Sequence, residues 1–195
     1  MRTFLLPSVL LIAAALAACS SSPTASFYTL GAVSPQGGAH TVRPISVVVA
    51  SVTVPELVDR PQFVVRLSDN QVKLDEFARW ADPVKSQIPR VVAADLAVLL
   101  PGARVSLYPQ EGDAGAAYRV RIELQRFDGA PGDGATVEAL WSVSPPKGGP
   151  LMSGRTVTHE PVAGPGYEAL TAAYSAGLGA ISQDIAAAIQ AGLTK

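Results

Sequence analysis

Apolar positions along this chain recur with two periods, and the change from one to the other marks its elements. From Tyr118 to Phe127 they alternate, with Tyr118, Val120, Ile122 and Leu124 on one side and Arg119, Arg121, Glu123 and Gln125 on the other. That period of two predicts a strand buried on one face and solvated on the other. Ile45 to Val54 is rich in β-branched residues with almost no polar interruption, which predicts a central strand buried on both faces. Gln62 to Leu67 and Gln71 to Leu74, separated by Asp69-Asn70, predict a hairpin. Ala135 to Ser144 and Leu151 to Val162, reached through the Gly- and Pro-rich loops 128–134 and 145–150, extend the 118–127 strand into a three-stranded antiparallel meander. Phe27 to Leu30 and Ala103 to Tyr108 are short β-prone runs, and Gly31 to His40 and Pro109 to Ala116 read as loops.

Steps of three and four residues appear twice. Val84, Ile88, Val91, Val92, Ala94, Leu96, Leu99 and Leu100 form one apolar face, while Lys85, Arg90 and Asp95 are expected to point away from it. Asp82 before Pro83 predicts an N-cap with proline at the first helical position, Pro89 should kink or restart the helix, and Pro101-Gly102 stops it. After Gly164-Pro165-Gly166, the positions Tyr167, Leu170, Tyr174, Leu178, Ile181, Ile185 and Ile189 make a narrow seam along an alanine-rich helix. The seam can pack on the sheet or accept a partner helix.

The N-terminus follows a different logic. Residues 1 to 18 carry one Arg, a greasy run from Val9 to Leu16 and then small residues. A bilayer span needs roughly 20 apolar residues, so this run reads as a secretory signal. Leu16-Ala17-Ala18-Cys19 resembles the bacterial lipobox, in which the cysteine is lipidated and becomes the first mature residue; the other reading is a plain signal peptide with an incidental cysteine. Covalent N-acyl and S-diacylglycerol lipid on Cys19 would give stable attachment, because several acyl chains hold where one does not. Ser20 stands where the sorting rule of Gram-negative lipoproteins uses aspartate for inner-membrane retention, which implies the outer membrane. Residues 20 to 26 form a short polar tether reaching roughly 20 Å. The expected organisation is therefore a signal peptide over 1–18, lipidated cysteine and tether over 19–26, and one domain over 27–195.

Composition removes several classes of function. A chain of 195 residues with a formal net charge of -1 has none of the basic excess of a nucleic-acid binder. One cysteine cannot form an internal disulfide, and His40 and His159 lie far apart, so a structural metal is not expected. GxxxxGK[ST], GxSxG and HExxH are all absent from the sequence. Asp59, Asp69, Asp75, Glu76 and Asp82 read as scattered solvated carboxylates, and Arg60 and Arg66 as strand arginines paired with nearby carboxylates or as anion ligands. Trp80 and Trp141 read as core or interface anchors. No cofactor and no enzymatic activity are expected.

The runs Val54-Pro55-Glu56-Leu57-Val58-Asp59-Arg60-Pro61-Gln62-Phe63-Val64-Val65-Arg66 and Arg79-Trp80-Ala81-Asp82-Pro83-Val84, with Phe27-Tyr28-Thr29-Leu30, resemble the PqiC-like (YmbA-like) ABC-type transport auxiliary lipoproteins. Pro89 and the two glycine-rich loops depart from that pattern. The resemblance implies a single-domain α/β sandwich, with a mixed, largely antiparallel sheet flanked by two main helices. It also implies an outer-membrane lipoprotein facing the periplasm, partnered with an MCE-domain protein and its inner-membrane transport complex in the traffic of lipid or hydrophobic compounds. Lacking a phosphate loop, the chain itself is not expected to hydrolyse ATP. A ring-shaped homo-oligomer would suit a tube-shaped partner. Leu57, Val58, Arg60 and Trp80 are the candidate partner-binding residues, with closure of one end of the sheet as their other reading. A periplasmic lipid carrier with an acyl-chain cavity is the rival function, and it requires an apolar pocket of several hundred Å³ or more.

Overall fold

The computed structural model describes residues 23–33, 44–108 and 117–193, so Leu16 to Cys19, Ser20 and His40 lie outside the described residues, as does the predicted 109–116 loop. The strands are β1 (Ser26–Tyr28), β2 (Ser46–Thr53), β3 (Gln62–Ser68), β4 (Gln71–Trp80), β5 (Arg104–Ser106), β6 (Ala117–Ala130), β7 (Gly134–Ser144) and β8 (Met152–Pro161). The helices are α1 (Val84–Leu99) and α2 (Gly166–Leu193). The result is a mixed α/β sandwich, as expected, with its strands divided between two sheets in the orders β1-β4-β3 and β5-β2-β6-β7-β8. The hairpin β3-β4 and the meander β6-β7-β8 are antiparallel, whereas β1-β4, β2-β5 and β2-β6 are parallel.

β2 is an interior strand, as its unbroken apolar run predicts. Val47, Val48 and Val49 are buried, and the register then slips between Val49 and Ser51, leaving Ala50 and Ser51 exposed. On β6, Tyr118, Val120, Ile122 and Leu124 face the core and the alternating residues face outward until a second slip between Leu124 and Arg126. β6 continues to Ala130, so the predicted loop at 128–134 shortens to a turn closed by the Asp133 amide donating to the Ala130 carbonyl at 3.1 Å. Gly132 supplies the positive φ of 87° that this turn needs.

α1 starts at Val84 with Pro83 in the cap position and no side-chain cap. The expected Asp82 cap is therefore corrected: its carboxylate instead takes the Arg90 guanidinium at 2.5 Å. The helix runs through Pro89 without the restart that the proline led one to expect. Ala94, assigned to the apolar face, is exposed, while Asp95, assigned to the solvent side, is fully buried.

α2 lies across β6, β7 and β8 and against α1, while α1 covers β2 and β5. Leu170, Tyr174, Leu178, Ile181, Ile185 and Ile189 of its seam are all buried, and burying each is worth roughly 1.5–3 kcal/mol. Gly177 permits the close approach to β7: a Cβ there would stand 2.6 Å from Val137 Cγ2. Between the two sheets, Phe63 stacks on Trp80 with centroids 4.0 Å apart and Phe127 on Tyr174 at 4.2 Å. Tyr28 and Tyr167 meet Phe63 edge-on at 5.3 and 5.1 Å, so one aromatic cluster joins the small sheet, the large sheet and α2.

Candidate docking surface

The loop 55–61 between β2 and β3 is folded back on itself. The Val58 amide donates to the Pro55 carbonyl at 3.0 Å, the Arg60 amide to the Val58 carbonyl at 2.9 Å, and the Trp80 amide to the Pro61 carbonyl at 2.7 Å. Prolines at both ends and these bonds give a loop with little freedom to lose on binding. Val58 is its plug, buried in the core, and Leu57 beside it is 39% exposed.

Trp80 stands behind this loop. It is 6% exposed, its ring held between Phe63, Phe127 and Tyr174, so most of its area is spent inside the protein. What remains lines a groove of about 290 Å³ formed by Asp59, Arg60, Pro61, Trp80, Ala81, Asp82 and Pro83. Arg60 is half-buried, and its Nε has no hydrogen-bond partner among the described residues. Of the four candidates, Leu57 presents an exposed apolar side chain, Arg60 and Trp80 border one groove, and Val58 supports the loop from beneath.

Several other polar residues have structural partners. Arg66 Nε donates to Asp128 Oδ2 at 2.5 Å, the carboxylate pairing expected of a strand arginine. Asp75 accepts from Tyr167 Oη at 2.7 Å, from the amides of Phe77 and Ala78 and from Lys73. The Tyr167 bond is the largest reason its carboxyl is lowered to about 2. Trp141 Nε1 donates to Thr156 Oγ1, which donates to Asp184 Oδ2. His159 is exposed and meets Thr136 Oγ1 at 3.1 Å. Among the described residues no three His, Cys, Asp or Glu side chains come close enough to hold a metal, and no helix is long and apolar enough to cross a membrane.

A polar cluster lies between the helices, and of its members the sequence pattern assigns only Asp95, to the solvent side. Gln87, Asp95 and Ser175 are buried and accept the backbone amides of Leu30, Gly31 and Val33 in the chain that follows β1. Its signal was present in the spacing, since Asp95 falls four residues after Val91 and four before Leu99, on the apolar stripe.

No curated protein matches the chain. Among solved structures it is similar to a protein described only as uncharacterized, at 21% identity and a TM-score of 0.68, over 86% of this chain and 99% of that one. It is also similar to protein XCC0632 from Xanthomonas campestris, of family DUF330, at 17% identity and a TM-score of 0.66, over 87% of this chain and all of that one. These likenesses establish the fold. Residues 28–186 match the sequence model of the ABC-type transport auxiliary lipoprotein component, and the chain therefore belongs to that family of transport-associated lipoproteins.

Proposed function

We propose that this protein is an outer-membrane lipoprotein subunit of an MCE-type intermembrane transport system, held by lipid on Cys19 and docking the periplasm-spanning complex for lipid or hydrophobic-compound traffic. The family match over residues 28–186 carries the reading, since a transport-auxiliary lipoprotein works beside a transporter. The docking face is the loop 55–61 with the groove under it. Leu57 is the apolar anchor, Arg60 borders the groove, and the edge of Trp80 forms the floor. A pinned loop carrying an exposed leucine beside a Trp-floored groove has the make-up of a small hot spot with a polar rim.

Carriage of an acyl chain inside the fold finds less support. The space between sheets and helices is filled by one continuous cluster of apolar side chains. The groove of about 680 Å³ between β1 and α2 lies open on the surface and is bordered by Glu168, Thr171 and Ser175 as well as by apolar residues. The test is to recover the tagged full-length protein from its host membranes in mild detergent, beside Leu57→Asp and Cys19→Ala. An MCE-domain protein that co-purifies, and is depleted in both variants, supports docking. Phospholipid recovered in stoichiometric amount without a protein partner overturns it in favour of carriage.

A further inference from the structure

Of the five phenylalanines, Phe4 lies in the predicted signal and Phe63 and Phe127 are buried, which leaves Phe27 and Phe77. Phe27 is 63% exposed and Phe77 47%. They share one face of the small sheet. Phe27 stands beside Arg79 in the parallel register of β1 and β4, and Phe77 is two residues from Arg79 along β4. Ala78 and Trp80, which alternate with these β4 residues, are buried, and Tyr28 turns inward onto Phe63. Phe27, Phe77 and Arg79 therefore point away from the core. Arg79 is matched by Glu76, Nη2 to Oε2 at 3.5 Å, so the face offers aromatic surface with little net charge.

The helices set where this face lies on the molecule. α2 begins against the small sheet, with Tyr167 edge-on to Phe63 at 5.1 Å, and its 28 residues span about 42 Å. α1 starts just after Trp80, and its far end meets that of α2 where Gln190 Nε2 donates to the Leu99 carbonyl at 3.3 Å. The small sheet and the far helix ends are thus opposite ends of the body. The chain from Cys19 to Phe27 spans at most roughly 28 Å. A body tethered there cannot stand on the far ends of its helices, which would lift Phe27 about 40 Å from the bilayer.

We propose that the outward face of the small sheet, through Phe27 and Phe77, rests on the lipid surface as a second contact beside the lipid anchor and fixes how the body stands on the membrane. The proposal rests on the reading of Cys19 as the lipid anchor. The short tether selects the end of the body that meets the bilayer, and the two exposed rings select the face.

Attachment itself belongs to the acyl chains, so the rings govern orientation and not binding. A phenylalanine side chain gains enough on leaving water for each to favour the seated orientation about ten-fold. Arg79 and Glu76 offset one another, so the contact depends on apolar burial and not on anionic headgroups. The Trp80 amide is bonded to the Pro61 carbonyl, so the same orientation holds the loop 55–61 near the bilayer.

The test is fluorescence quenching on the lipidated full-length protein, reconstituted into phosphatidylcholine vesicles that contain nitroxide-labelled lipid. With Cys19 acylated, an introduced cysteine is the one free thiol. A bimane label on Glu76→Cys, beside the two phenylalanines, should be quenched at least about three-fold more than one on Val98→Cys, which is 51% exposed near the far end of α1. Adding Phe27→Ser and Phe77→Ser should bring the Glu76→Cys signal down to the Val98→Cys level and leave Tm nearly unchanged, since both rings are exposed. Replacing about 30% of the lipid by phosphatidylglycerol, or raising the salt to about 0.5 M, should change the quenching by less than about two-fold. Quenching at Glu76→Cys that survives the two serines, or that needs anionic lipid, overturns the proposal. Equal quenching at Glu76→Cys and Val98→Cys also overturns it and leaves the face to a protein partner. Anchoring is read separately, by incorporation of labelled palmitate into the native protein and into Cys19→Ala. Label on the native chain without stronger quenching at Glu76→Cys overturns the contact face alone, and a native chain that takes up no label overturns the anchor reading and the contact face together.

Discussion

Replacing Asp95 by asparagine should make the protein more stable at neutral pH. Asp95 is fully buried, and among the described residues its polar contacts are the Val33 amide and the Ser182 hydroxyl. Its carboxyl is raised from 3.8 to about 6, mainly by burial, so ionisation at pH 7 works against folding. At about 1.4 kcal/mol per pKa unit, the cost at pH 7 is on the order of 3 kcal/mol. The folded value lies above the unfolded one, so Asp95 contributes most below the unfolded pKa, and that contribution is lost as the pH rises through 6. Asparagine can keep both contacts, because its oxygen can accept from Val33 and its amide can donate to Ser182 Oγ, whose single proton, shared in the native protein between Asp95 Oδ2 at 3.2 Å and the Leu178 carbonyl at 2.9 Å, then turns to Leu178. The neutral bonds are weaker than those of the carboxylate, which reduces the net gain to about 2 kcal/mol. In a domain of this size that raises Tm by about 4–8 °C at pH 7. Urea or thermal unfolding at a series of pH values measures it, and the advantage should disappear by pH 4.5. A variant that is equal or less stable at pH 7, or a gap that does not change with pH, would show that Asp95 is solvated or paired.

Other substitutions probe the packing and the surface. Gly177→Ala should cost about 1–3 kcal/mol on urea unfolding despite the better helix former, because the new Cβ meets Val137 at 2.6 Å. Tyr167→Phe should lower stability by about 1–2 kcal/mol at pH 7 by removing the bond to Asp75. The depressed Asp75 carboxyl, near 2, contributes above the unfolded pKa, so the Tyr167→Phe deficit should shrink as the pH falls from 4 towards 2. Leu57→Asp should leave Tm nearly unchanged, since Leu57 is 39% exposed, while reducing recovery of the transport partner about ten-fold or more.

Local periodicity carried much of this fold. The hairpin at Asp69-Asn70, the meander from Ala117 and the buried seam of α2 all follow from periods of two and of three to four that neighbouring residues enforce on one another. The parallel pairs β1-β4 and β2-β6 join segments far apart in sequence, and nothing local specifies them; that is why one expected sheet became two. Asp82 before Pro83 predicts a cap and the charge of Asp95 predicts a surface position, whereas Arg90 captures the first and the crevice between the helices encloses the second. The docking candidates were legible as a loop held by Pro55 and Pro61. That Val58 and Trp80 turn inward while Leu57 stays out depends on the aromatic cluster joining both sheets, which has no signature in sequence spacing.

The most direct test of the docking role is mass spectrometry of what co-purifies with the tagged full-length protein from its own membranes, normalised to bait and set beside Leu57→Asp and Cys19→Ala. The account predicts an MCE-domain transport subunit with the native protein and strong depletion of it in both variants. Equal recovery from all three, or phospholipid alone in stoichiometric amount, would contradict it.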